Sequence, residues 1–233
     1  MKSLGIGLAV FLLGSGSAFA AGFGYGPLTA GEMVDWSGAH LGVNGGWGTG
    51  TVSGTYSGPS IPTSTVVPFN TSGGLGGLQA GYDFQTGHMV FGIEGDVDMA
   101  GITGSGVQYN SGGTVVTATT TMNWIATLRG RVGFTVDRFL IYGTGGVVSA
   151  NNTLTLVSTG GFTGTATNSQ THSGWTLGLG GEYSLTRQWS IGAEYKHLYL
   201  GAATYTDPTN IPNSQANVNL SNDIFTFKAN YHF

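Results

Sequence analysis

Cysteine is absent from all 233 residues. No disulfide can staple this chain, and no acyl anchor can be attached through an amino-terminal thiol. Charge is scarce as well: 8% of residues are Asp, Glu, Lys or Arg, against about a quarter in an ordinary soluble domain. The few charges include no basic run and sum to −4, so nucleic acid is excluded as a partner on electrostatic grounds. Beyond the amino terminus no stretch offers the 18 or so consecutive apolar residues of a spanning helix, so a chain of this kind enters a bilayer as strands or not at all. Without cysteine or a paired-histidine spacing there is no basis for a metal site, and no cofactor is expected.

What the chain has in abundance is glycine, 43 residues, together with Thr, Ser and 12% aromatics. Glycine and threonine at this level disfavour long helices, while the dispersed aromatics argue against disorder. At the amino terminus Lys2, an apolar run from Leu4 to Leu13 and the small-residue site Ala18-Phe19-Ala20 read as a cleaved secretory leader over 1–20. A periplasmic segment is expected over 21–35, and a β-barrel over 36–233.

The last residues, Asp223 to Phe233, carry the sharpest pattern. Strict alternation puts Phe225, Phe227, Ala229, Tyr231 and Phe233 on one side and Ile224, Thr226, Lys228, Asn230 and His232 on the other. An aromatic side backed by a polar one is the signature of a strand with lipid outside and a polar lumen inside. Period-2 segments recur near 36–48, 74–84, 89–99, 121–134, 139–150, 171–185, 189–201 and 223–233, each close to the length of a tilted spanning strand. The turns between them are short at 85–88, 135–138 and 186–188. The other connections, 49–73, 100–120, 151–170 and 202–222, are long, nearly uncharged, and read as mobile outer loops. The expected fold is therefore all-β, an eight-stranded antiparallel up-and-down transmembrane barrel with both termini on the periplasmic side. Aromatic pairs such as Trp124 with Phe134, Trp175 with Tyr183 and Trp189 with Tyr199 span roughly 20–25 Å at a rise of about 3.3 Å and a tilt of about 40°, the height of an outer-membrane apolar band.

If aromatics face lipid, the opposite parity must hold the charges. Glu94, Asp96, Asp98, Arg129, Arg131, Glu182, Glu194, Lys196 and Lys228 all share it. Five acids and four bases in a lumen of eight strands are expected to pair, because interiors of this width are filled by side chains. Asp96 and Asp98 are expected to neutralise Arg129 and Arg131 on the adjacent strand. The rival reading gives Glu94, Asp96 and Asp98 a cation path.

Trp36-Ser37-Gly38 followed by Leu41-Gly42-Val43-Asn44-Gly45-Gly46-Trp47 resembles the opening strand of the small outer-membrane immunogenic, porin-like proteins, whose barrel is similar to that of OmpA. Gly81-Tyr82-Asp83-Phe84, Gly92-Ile93-Glu94-Gly95-Asp96, Leu128-Arg129-Gly130-Arg131-Val132-Gly133, Tyr142-Gly143-Thr144-Gly145-Gly146 and Gly192-Ala193-Glu194-Tyr195 resemble its remaining strands. The end of the chain resembles the carboxyl-terminal assembly signal of bacterial outer-membrane barrels, here Tyr231 and Phe233. The resemblance implies residence in the cell outer membrane, contact with its lipid and lipopolysaccharide, recognition by the barrel-assembly machinery, and an envelope-structural, surface-antigen role. Narrow porin activity, adhesion or haem binding is attributed to some members. Nothing follows Phe233 that would match OmpA's peptidoglycan-binding domain, so peptidoglycan tethering is not expected.

Barrels of this size include enzymes, which directs attention to the histidines. His88 falls in a turn, His232 at the periplasmic end, His40 on the lumen parity and His197 on the aromatic parity. His172 and Ser173 lie near the outer rim, but adjacent strand residues point to opposite faces and make a poor base and nucleophile; no catalysis is expected. Haem would need a loop residue such as Tyr56, Tyr109 or Tyr205. An extracellular ligand at the loops is the second functional class.

Overall fold

The computed structural model describes residues 34–58, 61–111, 113–160, 163–206 and 215–233. The expected leader, and all but the last two residues of the expected periplasmic segment, lie outside them. Eight strands, β1 (Gly38–Gly58), β2 (Ile61–Thr86), β3 (Met89–Ser111), β4 (Thr114–Val136), β5 (Phe139–Gly160), β6 (Gly164–Ser184), β7 (Trp189–Thr206) and β8 (Gln215–His232), follow one another around a closed antiparallel barrel. Closure is made by β1 against β8, with Leu41 opposite Tyr231 and Trp47 opposite Phe225. Every strand thus has two neighbours, and no edge is left unpaired.

At one end the connections are tight. Gly87 and Asp137 take positive φ, +60° and +52°, in the turns joining β2 to β3 and β4 to β5. Glycine adopts this at no cost and Asp tolerates it better than most residues. In the third turn the Thr186 hydroxyl accepts from the amides of Gln188 and Trp189, at 3.2 and 3.0 Å.

The strands are far longer than a membrane requires. The long connections expected over 49–73, 100–120, 151–170 and 202–222 are largely strand, a correction to the loop reading: β2 runs for 26 residues and β5 for 22. At a rise of about 3.3 Å and a tilt of about 40°, 21 residues project to roughly 50 Å, about twice the apolar band. The reason lies in the alternation, which does not stop at the edge of the band but changes content. Asn152 is buried inside, and Leu154 and Leu156 pack against the inner cluster, while Thr153 and Thr155 on the outer side bond to Ser169 and Thr167 of β6. β-Branched threonine suits an extended, solvent-facing wall.

The outer surface therefore has two zones. Nearest the tight turns it is apolar: Leu41, Val43 and Trp47 on β1, Phe91, Ile93, Val97 and Met99 on β3, and Leu177 and Leu179 on β6 all point outward. On β8 Phe227 is 65% exposed while its neighbour Thr226 is 2% exposed. Beyond this band the outward positions are mostly Thr, Ser and Asn, with Val67, Val107, Tyr109 and Val157 among them. The interior changes the opposite way, from ionised to apolar.

Candidate functional site: the barrel lumen

Three layers fill the lumen. At the turn end, residues 34–37 precede β1 and cross the mouth of the barrel, whereas the strand was expected to begin at 36. Trp36 is buried with Val34, Val90, Leu140 and Tyr142. The segment is held by the Trp36 amide donating to the Gln85 side-chain oxygen at 2.8 Å and the Gln85 amide donating to the Ser37 hydroxyl at 3.0 Å. The Trp36 ring meets His232 edge-on at 5.5 Å between centroids.

Above this cap lies the layer of charge. Arg129 on β4 reaches three carboxylates: Glu94 at 2.7 Å and Asp96 at 2.9 Å through Nη2, and Glu194 through Nη1. Its Nε donates to Thr127, whose hydroxyl in turn donates to Asp96. Arg131, two residues on and therefore on the same face, binds Glu182 at 2.7 Å and Asp83 at 2.8 Å. Lys228 of β8 stands 3.3 to 3.4 Å from Glu94, Glu182 and Glu194. Tyr142 of β5 lies under both cations, with Arg131 Cζ 4.6 Å and Lys228 Nζ 4.8 Å from its ring centroid. Lys196 takes Asp96 at 3.0 Å and Asp98 at 3.7 Å. All of these side chains are buried.

The structure thus brings the nine charged residues of one parity into a single cluster, but its pairing is not the expected one throughout. Asp96 meets Arg129 on the adjacent strand; Asp98 is met by Lys196 of β7, across the lumen, and Arg131 by Asp83 and Glu182. Sequence reasoning missed Asp83; it placed His40 on the lumen parity but not its partners, Asp83 and Glu94, each 3.3 Å away. Asp83 shares the inward parity of Gln79 on β2, and that was the signal available. With His40, Asp83, Tyr142 and Thr144 included, the cluster takes side chains from all eight strands. A charge buried in this way is tolerable only when paired and hydrogen-bonded.

The third layer is apolar. Val52, Phe69, Leu75, Ile102, Met122, Ile125, Val148, Leu198, Leu200, Leu220 and Ile224 form one buried cluster inside the outer half of the barrel. Ile224 was expected on the inward side of the last strand, and Leu75, Met122, Ile125, Val148, Leu198 and Leu200 lie in expected strands, but an apolar layer was not anticipated, because Val52, Phe69, Ile102 and Leu220 fall in the segments read as loops.

The remaining candidates are dispersed. His172 points inward and its Nδ1 lies 3.2 Å from the Gly201 carbonyl, while Ser173 points outward. Tyr109 is exposed on the outer wall of β3; Tyr56 and Tyr205 fall on β1 and β7 with side chains outside the described residues. His197 faces outward against Asp223, Nδ1 to Oδ1 2.8 Å. Among the described residues no group of His, Asp and Glu has metal-binding geometry.

A wall that is apolar outside and ionised within, closed on eight strands, is the arrangement of an outer-membrane barrel, and the description of the outer membrane protein beta-barrel domain matches residues 6–233. The chain belongs to that family. It is similar to the 31 kDa outer-membrane immunogenic protein of Brucella melitensis, 31% identical over 187 residues that cover 77% of each chain. It is also similar to the 25 kDa outer-membrane immunogenic protein of Brucella abortus, 27% identical over 88% of this chain and 87% of that one. Among solved structures the outer membrane protein OprG of Pseudomonas aeruginosa shares the fold, with a TM-score of 0.54 at 12% identity, over 87% of this chain and 99% of that one. As a member of the outer membrane barrel family the protein resides in the outer membrane, where its apolar band faces lipid. The relatives carry names of outer-membrane and immunogenic proteins rather than of enzymes.

Proposed function

We propose that this outer-membrane protein is a non-conducting structural barrel that anchors a rigid, nearly uncharged β-wall at the cell surface, and that it performs no catalysis. The observation that carries the reading is the order of the three layers. The ion cluster, which would be the polar path of a pore, is closed above by the Leu198, Leu200 and Ile224 layer and below by Trp36. Water and ions do not enter an apolar, close-packed layer without partners for their hydrogen bonds. Catalysis has no support in the geometry, since His172 and Ser173 lie on opposite faces. The surface part is what antibodies would meet, consistent with the immunogenic names of the Brucella relatives. Tyr231 and Phe233, outward aromatics at the periplasmic end, are proposed as the signal read by the assembly machinery.

Planar-bilayer recording of the purified, refolded protein tests the closure. The expected result is a silent bilayer. Reproducible unitary steps that respond to neutralising Glu94 or Asp96 would instead establish the narrow cation path.

A further inference from the structure

Six carboxylates are buried in the lumen, those of Asp83, Glu94, Asp96, Asp98, Glu182 and Glu194, against four permanent cations, Arg129, Arg131, Lys196 and Lys228. His40, 3.3 Å from both Asp83 and Glu94, brings the positive count to five when protonated. One negative charge is still uncompensated among the described residues. An ionised carboxylate out of reach of water is stable only with a counter-charge and with partners for its lone pairs.

The contacts place the surplus at Asp98. Arg129, Arg131 and Lys228 are engaged by the other carboxylates, and Lys196 is shared, 3.0 Å from Asp96 and 3.7 Å from Asp98. Asp98 is 0% exposed, and neither of its carboxylate oxygens has a hydrogen-bond partner. The register sets Asp98 of β3 opposite Gly77 of β2, and Gly77 opposite Asn44 of β1. A Cβ on Gly77 would collide with Asp98 Oδ1, so the glycine is what lets the carboxylate fold across β2 toward Asn44. The Asn44 amide faces that carboxylate, yet no hydrogen bond joins them, and its oxygen and nitrogen are both buried without a partner. On the opposite flank stands Ile125 of β4, whose side chain has no donor to offer. A carboxylate and an amide oxygen turned to one spot, neither of them satisfied, are the ligands a hard cation takes.

We infer that Asp98 and Asn44 hold one monovalent, sodium-sized cation where the ion cluster meets the apolar layer. The deficit is a single charge, and the Lys196 ammonium beside Asp98 disfavours a divalent ion. Nor do three His, Asp or Glu side chains gather there, among the described residues, as a divalent site would require. The ion is a fixed counter-charge enclosed as the barrel closes, not cargo in transit. Its confinement rests on the closed lumen proposed above; the charge deficit does not.

The test refolds the full-length mature protein into detergent micelles in sodium chloride or in choline chloride at equal ionic strength, which holds screening constant while choline is too large for the site. Sodium is expected to raise the thermal unfolding midpoint saturably, by about 3–6 °C at a concentration about tenfold above half-saturation. Asp98→Asn removes the surplus charge and keeps the shape, and is expected to abolish the sodium response. Asn44→Ala removes one ligand and keeps the charge, and is expected to raise the half-saturating sodium concentration about tenfold. A midpoint that does not distinguish sodium from choline in the unsubstituted protein overturns the site and leaves a proton as the missing charge. An undiminished sodium response in either variant overturns it as well. A silent bilayer without a sodium response sinks the ion site alone, whereas unitary conductance with an intact response sinks the closure alone.

Discussion

Arg129 on β4 and Glu194 on β7 meet across the lumen as a direct ion pair, although two strands, β5 and β6, lie between them around the wall. The same guanidinium binds Glu94 and Asp96 of the neighbouring strand. One side chain thereby ties the opposing walls of the cylinder together, and the planar fork of arginine is what lets it serve several carboxylates at once.

Arg129→Ala is expected to destabilise the barrel by about 3–5 kcal/mol, because it leaves Glu94, Asp96 and Glu194 buried with too little positive charge around them. Arg129→Lys, which keeps the charge and loses the fork, should fall between the two. Urea unfolding in lipid vesicles, followed by tryptophan fluorescence, measures both. A wild-type-like midpoint for the Ala variant would contradict the pairing described here.

The depth of the apolar band can be mapped on one strand. Ile93→Arg places a charge near mid-band on the outer face and is expected to cost about 2–4 kcal/mol, whereas Ser105→Arg, outward on the same strand but beyond the band, should cost about 1 kcal/mol or less. The same unfolding assay reads the difference. Equal costs would mean that the outer surface of β3 has no lipid boundary between the two positions.

Leu198 is completely buried in the outer apolar layer. Leu198→Ala is expected to lower stability by about 2–5 kcal/mol through lost burial and the cavity left behind. A cost below about 1 kcal/mol would indicate that this layer is loosely packed and would weaken the closure it is proposed to provide.

Backbone amides from 151 to 157 lie in β5, paired on both sides with β4 and β6. They are expected to exchange with deuterium slowly, with protection approaching that of the strand core around Val147 and Val148. Exchange at the rate of an open loop would overturn the extended wall.

The sequence alone legibly determined the strand count, the short turns, the sidedness of the membrane band and, Asp83 excepted, which charges face inward. All four follow from a period of 2 read locally: Phe225 and Phe227 must share a face whatever the rest of the chain does, and Lys228 must oppose them. Local parity also contains the outer extension, since Thr153, Leu154, Thr155 and Leu156 alternate as strictly as the last strand. That extension was read as loop because, outside lipid, a threonine-rich outer face no longer looks like a membrane strand and a short run of leucines no longer looks like a lumen.

Tertiary structure decided the partnerships. Parity places Asp98 and Arg131 inside but cannot say that Asp98 is met by Lys196 from β7, or that Arg131 takes Asp83 and Glu182, because those distances are set by the closure of the ring and the stagger of its strands. The same holds for Trp36, which the sequence attaches to a strand and the fold lays across the mouth of the barrel. Which residues face one another across a lumen depends on the curvature and register of the whole wall, and no local pattern carries that information.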